Sequence, residues 1–223
     1  MFNLILKDLM IQKKTMLLGS FYIIAMILAF QSMGQNNENT MFASGVVALT
    51  YILVMGACAY DEKCKSDVML NSLPIKRADI VLSRYLSVLA FAGVGTVEYI
   101  AISSIINLSG LPIKAYPITL QGFIGVLFAV IFISSIYFPV YFKVGYIRSK
   151  MINLIVFFAV FFLIGSISYI IKESMNQPAI HAIVDFFSKR SDLQIILLCM
   201  SVLFLMMAGS YTLALKFYKN REF

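Results

Sequence analysis

Few residues of this chain have the types and spacing that chemistry requires. Only 13% of the 223 residues are charged, and no G-x-x-x-x-G-K-[ST] phosphate loop occurs, so the usual ATP-binding motif is absent. The three cysteines and the single histidine, His181, lack metal-ligand spacing, and neither H-E-x-x-H nor G-x-S-x-G is present. We therefore predict that the chain is not an enzyme, with no catalytic residue, no metal site and no cofactor of its own.

Glu98 is the ionisable residue that we expect to lie deepest inside an apolar segment. It is the only charged residue between Ser87 and Leu111, and a helix places it about 21 Å beyond Arg84 at 1.5 Å per residue. A carboxylate is costly in hydrocarbon and usually faces a cavity or a partner. Glu98 is therefore a candidate pathway residue that attracts a cationic group of a substrate. The alternative is a structural hydrogen bond to a neighbouring helix, or extension of the side chain to the outer headgroups.

A dense group of charges lies between Asp61 and Leu86, and it separates two long apolar segments. From Thr40 to Tyr60 there is no Asp, Glu, Lys or Arg. A loop with this charge must lie in water while both neighbours lie in lipid. It nevertheless carries apolar residues that a solvated loop does not need: Val68, Met69, Leu70, Leu73 and Ile75. This combination predicts a docking element, and the alternative is a loop whose apolar residues touch lipid.

The elements that position these residues are predicted to be membrane-spanning helices. Hydrophobic residues make up 61% of the chain and its mean hydropathy is +0.88, whereas a soluble domain has about 45–50% apolar and about 25% charged residues. A spanning helix needs about 20 mostly apolar residues. The predicted fold is all-α and polytopic, a single transmembrane domain over residues 1–223. Its six predicted spans are roughly Thr15–Gly34, Thr40–Tyr60, Val81–Asn107, Pro117–Phe142, Met151–Ile171 and Leu193–Leu215.

The placement of positive charge predicts the orientation in the membrane. Fourteen of the eighteen Lys and Arg residues precede the first span, lie in the second or fourth connection, or follow the last span. With six spans these regions share one side, and the positive-inside rule makes that side, with both termini, cytoplasmic. We expect the net charge of +7 to meet anionic lipid headgroups rather than nucleic acid. Residues 28–32 lack a small-x-small cleavage pattern, so we expect the first span to remain in the mature chain.

Two segments outside the spans are predicted to lie along the membrane surfaces. Residues 1–14 are too charged to span, and an apolar stripe suggests an interfacial helix on the cytoplasmic leaflet; the alternative is a simple basic anchor. The stripe consists of Phe2, Ile5, Leu6 and Leu9. Residues 172–192 have apolar side chains at helical spacing after Pro178, which predicts an amphipathic or re-entrant helix in the outer leaflet.

The connection at residues 61–80 is predicted to present a short helix of its own. Ser66 or Asp67 can cap this helix, which then runs to Leu73 before Pro74 ends it. A short cytoplasmic helix that exposes Leu and Met suits insertion into a groove of another protein.

This loop and its flanks resemble the permease subunits of bacterial type-2 ABC exporters. In that family the cytoplasmic loop after the second span has a Glu-rich start, then Leu-x-x-x-Pro, a basic residue, and a Lys or Arg that opens the third span. The matching residues here are Glu62, Leu70, Pro74, Arg77 and Arg84. The family often has a Gly-Thr pair after the glutamates, where residues 65–67 of this chain are Lys-Ser-Asp.

The resemblance implies an N-terminal elbow helix, six spans and a cytoplasmic coupling helix in a bacterial cell membrane. Two permease chains, as a homodimer or heterodimer, would form the pathway, and two separate ABC ATPase subunits carrying ATP and Mg would drive it. The implied ATPase-coupling residues are Asp61, Glu62, Val68, Leu70, Leu73, Pro74, Lys76 and Arg77. Small permeases of this kind resemble those that export amphipathic peptides, bacteriocins or other antimicrobial compounds.

Two other functions stay open at this point. In an ion-coupled secondary transporter or channel, Glu98 would carry the mechanism without an ATPase. A non-transporting membrane immunity protein would instead bind a toxin directly.

Overall fold

The computed structural model describes residues 2–32, 38–109, 118–152, 155 and 192–220, and every regular element in these ranges is helical. The all-α class is therefore confirmed for this part of the chain. The helices are α1 (Phe2–Ile11), α2 (Lys13–Ser32), α3 (Glu38–Lys63), α4 (Ser66–Ser72), α5 (Arg77–Leu108), α6 (Leu120–Val144) and α7 (Asp192–Lys219). Residues 146–152 are helical as well.

Four of these helices, α3, α5, α6 and α7, are long and apolar enough to cross a membrane. The pair α1 and α2 passes the same test when taken together, with a bend of 61° between them. The described residues thus hold four candidate spans, or five if the bent pair is one span. The predicted fifth span and the predicted outer helix at residues 172–192 lie almost entirely outside the described residues, so the count of six spans stays a prediction.

The bend between α1 and α2 occurs at Gln12, whose side chain is buried rather than solvated. Gln12 lies against Gly56 of α3, where an added Cβ would be 2.9 Å from both Gln12 Oε1 and Gln12 Nε2. Gly56 thus leaves room for the terminal amide of Gln12, and a larger residue there would displace this amide. A helix within residues 1–14 is confirmed, and its Leu4 and Leu9 pack against the core. Its position on the membrane surface stays a prediction.

Helix α3 contacts α2, α5 and α6 and carries the centre of the core. Its Val46, Leu49 and Leu53 have no exposed surface. Gly95 of α5 allows close approach, because a Cβ there would lie 3.3 Å from Val46 Cγ1 and 3.4 Å from Leu49 Cδ2. Helices in lipid gain little from the hydrophobic effect and associate through close van der Waals packing, which small residues permit.

The outward faces of the helices are apolar, as expected where lipid is the solvent. The exposed side chains of α2 and α7 include Leu17, Leu18, Phe21, Leu197, Phe204 and Leu205. An apolar surface of this extent is rare on a soluble monomer. Together with the long spans, it makes the chain a multi-pass membrane protein.

Helix α6 has clear signals at both ends and one irregularity inside. Thr119 Oγ1 accepts a hydrogen bond from Gly122 N at 3.1 Å, which caps the first turn. The helix ends at Val144 because Gly145 adopts a φ of 79°, a conformation that side chains with a Cβ disfavour. Pro139 inside the helix has no N–H to donate four residues back.

Candidate functional site

The loop after α3 forms a short helix, α4, with an apolar outer face. Val68, Met69 and Leu73 are 56%, 67% and 49% exposed, and we call these three side chains the α4 face. Leu70, which we grouped with them, points the opposite way and is buried in the core. Leu70 therefore anchors α4 to its own chain and is not available to a partner, whereas Met69 is the most exposed of the four.

The N-terminal cap predicted for α4 is wrong. Ser66 and Asp67 lie inside the helix, and Lys65 is the N-cap residue, with a φ of 50° and no side-chain cap hydrogen bond. A left-handed conformation costs a residue with a Cβ roughly 1–2 kcal/mol, and glycine avoids most of this cost. Beyond α4, Pro74 and Lys76 are exposed.

Two of the predicted coupling residues hold the loop to other parts of the chain. Arg77 Nη1 donates a hydrogen bond to the Lys219 carbonyl at 2.8 Å, which joins the start of α5 to the end of α7. Glu62 Oε2 accepts from the Tyr146 backbone N–H at 3.4 Å. The loop is thereby connected to the segment that follows α6. Both residues shape the surface that carries α4.

Asp61 belongs to a buried group of charges that sequence analysis did not find. Lys7 Nζ donates to Asp61 Oδ1 at 3.0 Å, and Arg84 Nη1 donates to Asp8 Oδ2 at 2.8 Å. Arg84 Nη2 also contacts Asp61 Oδ2. Ser87 Oγ donates a further hydrogen bond to Asp8 Oδ2 at 2.8 Å. We call Lys7, Asp8, Asp61 and Arg84 the ion cluster; it joins α1, α3 and α5.

The ion cluster is almost closed to solvent, since Asp8, Asp61 and Arg84 are 2%, 1% and 6% exposed. Buried charges persist in proteins when they are paired and hydrogen-bonded, and here two cations face two carboxylates. The burial of Asp61 means that it does not form part of an exposed docking surface. Asp8 escaped sequence analysis because no spacing marks it; the available signal was a single acidic residue in a short, otherwise apolar and basic segment.

A second polar connection joins α5, α6 and α7. Ser210 Oγ donates to the Ser135 carbonyl at 2.7 Å, and Tyr85 OH lies 2.6 Å from Ser210 Oγ. Because the Ser210 hydrogen goes to the carbonyl, Tyr85 is the donor in the second bond. Ser135 is the residue four positions before Pro139, so α7 supplies the hydrogen bond that the proline cannot.

Glu98 lies on α5 beside α2. Its Oε2 would be 3.4 Å from a Cβ placed on Gly19. This oxygen is buried, and among the residues that the structure describes none donates a hydrogen bond to it, so the structural hydrogen bond weighed for Glu98 is not seen at Oε2 in this part of the chain. Among the described residues, no group of three or more His, Cys, Asp or Glu side chains could hold a metal ion.

Long apolar helices, with a short partly exposed helix between two of them, define a multi-pass membrane protein. The sequence model of the family described as ABC-2 family transporter protein matches residues 3–219. The chain therefore belongs to the ABC-2 transporter family, and it is a type-2 ABC permease. No curated protein and no solved structure matches it.

Proposed function

We propose that this permease forms the pathway of an ATP-driven exporter and that α4 is its coupling helix. Two permease chains would form the pathway along their interface, and a cytoplasmic ABC ATPase with its ATP and Mg would dock beneath each chain. The termini and α4 lie on the cytoplasmic side of a bacterial cell membrane. The family supports an ATPase partner in general, while the number of subunits and the docking site are our proposals.

The observation that carries the proposal is the α4 face. Two apolar side chains, Val68 and Met69, are exposed on the seven-residue helix and a third on its C-cap residue, Leu73, while buried Leu70 anchors the helix to the core. A short helix with apolar knobs on a fixed base suits insertion into a hydrophobic groove. Large apolar side chains that fill a pocket commonly dominate the energy of such a contact.

We also propose the chemical class of the transported substrate, but not its identity. Amphipathic peptides or other antimicrobial compounds fit a pathway between apolar helices, and the likeness to small peptide-exporting permeases supports this choice. Cells are expected to export a fluorescent amphipathic peptide, and this export should be lost when the ATPase is removed. A cargo without apolar character would contradict the peptide assignment but not the coupling role of α4.

The docking of α4 is tested by purifying the tagged chain from its native cells in mild detergent and measuring how much ABC ATPase co-purifies. Met69→Asp and Leu73→Asp place a charge in the proposed groove and should reduce the captured ATPase by tenfold or more. A tenfold reduction corresponds to a loss of about 1.4 kcal/mol of binding free energy. Neither residue is buried, so the variants should fold.

Asn3→Asp is the control, because it puts the same charge on an exposed position of α1 rather than on α4. Capture should stay near the wild-type level in this variant. Undiminished ATPase capture with Met69→Asp and Leu73→Asp would remove α4 as the docking helix. Capture of no ATPase by the wild-type chain would refute the exporter proposal itself.

The second candidate is a pathway role for Glu98, supported by its buried oxygen without a hydrogen bond. In an ATP-independent transporter, purified chain in liposomes would carry a cation or cationic solute along a gradient, and Glu98→Gln would abolish this flux. No flux from the purified wild-type chain would exclude the ion-coupled reading and leave Glu98 as a residue of the ATP-driven pathway.

A further inference from the structure

The ion cluster connects three helices through charged contacts, although apolar side chains of similar volume could hold the same helices together. Replacing a buried ion pair with apolar residues of similar volume is often neutral or stabilising. Charged groups, however, hold their partners at defined distances and angles, whereas apolar contacts slide. A cluster of this kind is therefore better suited to fixing geometry than to adding stability.

Two consecutive residues of α1 engage two different helices. Lys7 donates to Asp61 of α3 at 3.0 Å, and Asp8 accepts from Arg84 and Ser87 of α5 at 2.8 Å each. Neighbouring positions on a helix point about 100° apart, so rotation or sliding of α1 disturbs both sets of contacts together. Arg84 closes the arrangement because it also contacts Asp61.

The cluster lies at the base of α4. Asp61 is in the last turn of α3, which ends at Lys63, and α4 begins at Ser66. A force applied to α4 by a docked protein therefore reaches Asp61 through only a few residues, and from Asp61 it reaches the other two helices through the ion pairs.

We propose that the ion cluster is a rigid joint that makes α1 and the inner ends of α3 and α5 move as one body with α4. Asp8, Asp61 and Arg84 are positioning residues in this role. The inference rests on the proposed function, since it requires an ATPase that moves α4 during its cycle. The elbow helix is then part of the moving assembly rather than a passive anchor.

The test is a distance between α1 and the base of α4, measured by double electron–electron resonance. One spin label is attached to Cys64, which is exposed, and one to an Asn3→Cys variant on the exposed side of α1. Cys58 and Cys199 are changed to alanine, and labelled chain is diluted with unlabelled chain. The complex with its co-purifying ATPase is measured in liposomes without nucleotide and after trapping with ATP, Mg and vanadate.

With the ion cluster intact, the distance should be narrow and equal in the two states. In Asp8→Asn combined with Asp61→Asn, trapping should broaden it or shift it by about one helical turn, roughly 5 Å. Asp79→Asn in the first turn of α5 is the matched control and should behave like the wild-type chain. The apolar set Asp8→Leu, Asp61→Leu and Arg84→Met should also loosen the distance while keeping the helices packed, which excludes unfolding as the cause.

The joint is refuted if the apolar set gives the same narrow, unchanged distance as the wild-type chain. A distance that shifts on trapping in the wild-type complex refutes it equally, because α1 then moves independently of α4. If the wild-type chain captures no ATPase, the proposed function fails, and the joint fails with it. Normal capture with an unchanged distance in the apolar set overturns the joint alone.

Discussion

The molecule places carboxylates inside its helical bundle at two sites, and it treats them in opposite ways. At the ion cluster, which we call the inner site because it lies at the base of α4, Asp8 and Asp61 are buried and share Arg84 and Lys7 as partners. At the second site, which we call the outer site from its predicted depth, Glu98 lies beside Gly19, and no described residue donates a hydrogen bond to its Oε2. The inner carboxylates are placed to hold helices together, whereas the outer carboxylate contributes nothing visible to that task.

This difference separates residues that organise the permease from residues that remain free for another role. At the inner site two cations lie beside two carboxylates, and we expect these ion pairs to fix one arrangement of the helices. Glu98 is half-buried, and a carboxylate in a membrane-spanning segment that no visible contact uses has a cost without a structural return; such residues commonly mark a pathway. We therefore expect substitutions at the two sites to have very different effects on stability.

Removal of Arg84 should have the largest effect. Arg84→Met leaves two buried carboxylates with only Lys7 to balance them, and breaking a buried pair in this way costs about 3–5 kcal/mol. The free energy of unfolding, measured by denaturant titration in mild detergent, reports the loss. Arg77→Met is the control on the same helix: its hydrogen bond to the Lys219 carbonyl is more exposed, so a loss of about 1 kcal/mol is expected. Equal losses for the two arginines would contradict a special inner site.

A direct comparison of the two sites uses the smallest possible change at each. Asp61→Asn should cost about 2–3 kcal/mol because it leaves Arg84 and Lys7 in excess over the remaining carboxylate. Glu98→Gln should change the free energy of unfolding by less than about 0.5 kcal/mol, the range of substitutions that remove no native contact. A loss at Glu98 as large as at Asp61 would mean that Glu98 is structural after all.

The elbow beside the inner site should be sensitive to a single methyl group. Gly56→Ala brings a Cβ to 2.9 Å from Gln12 Oε1 and Nε2, and this overpacking should cost about 1–3 kcal/mol. Gly45→Ala on the same helix meets nothing within 4 Å and should be neutral or stabilising by up to about 1 kcal/mol through helix propensity. Tryptic cleavage after Lys13 and Lys14 should also become faster in Gly56→Ala. Identical behaviour of the two variants would show that Gln12 can move aside freely.

Among the predicted losses of stability, a smaller one is expected at the polar connection of α7. Ser210→Ala removes the donor to the Ser135 carbonyl, which lacks its usual partner because of Pro139, and should cost about 1–2 kcal/mol. Ser201→Ala serves as the control, since Ser201 bonds only to its own helix and is exposed. Thermal unfolding in detergent distinguishes the two. A neutral Ser210→Ala would indicate that another donor reaches the carbonyl.

Long runs of apolar residues predicted most of the helices. The predicted span Val81–Asn107 lies within α5, and Thr40–Tyr60 lies within α3, because the absence of charge over about 20 residues suffices to define a span. The short helix in the loop was also predicted, and the observed helix begins one or two residues earlier and ends one residue earlier than the prediction. Its cap was not predictable, because a left-handed Lys65 has no composition signal and Ser and Asp are the usual cap residues.

The candidate site was predicted as a segment but not as a set of contacts. Hydropathy placed Val68, Leu70 and Leu73 in one group, while the fold buries Leu70 and exposes the other two. A seven-residue helix has two faces, and which face meets the core depends on how the chain enters and leaves it. Asp61 was assigned to an ATPase contact and proved to be enclosed within the chain, because its partners come from residues about 54 and 23 positions away.

The amino-acid sequence by itself determined that the chain crosses a membrane, where its long helices run, which family it resembles and which connection carries an amphipathic helix. These properties follow from local composition, since the bilayer demands apolar length and water demands charge. Only the tertiary structure decided that Lys7, Asp8, Asp61 and Arg84 meet, that Leu70 faces inward, and that Ser210 completes the bond that Pro139 lacks. Each of these depends on the relative rotation of helices far apart in the chain, and that rotation is set by the packing of all of them together.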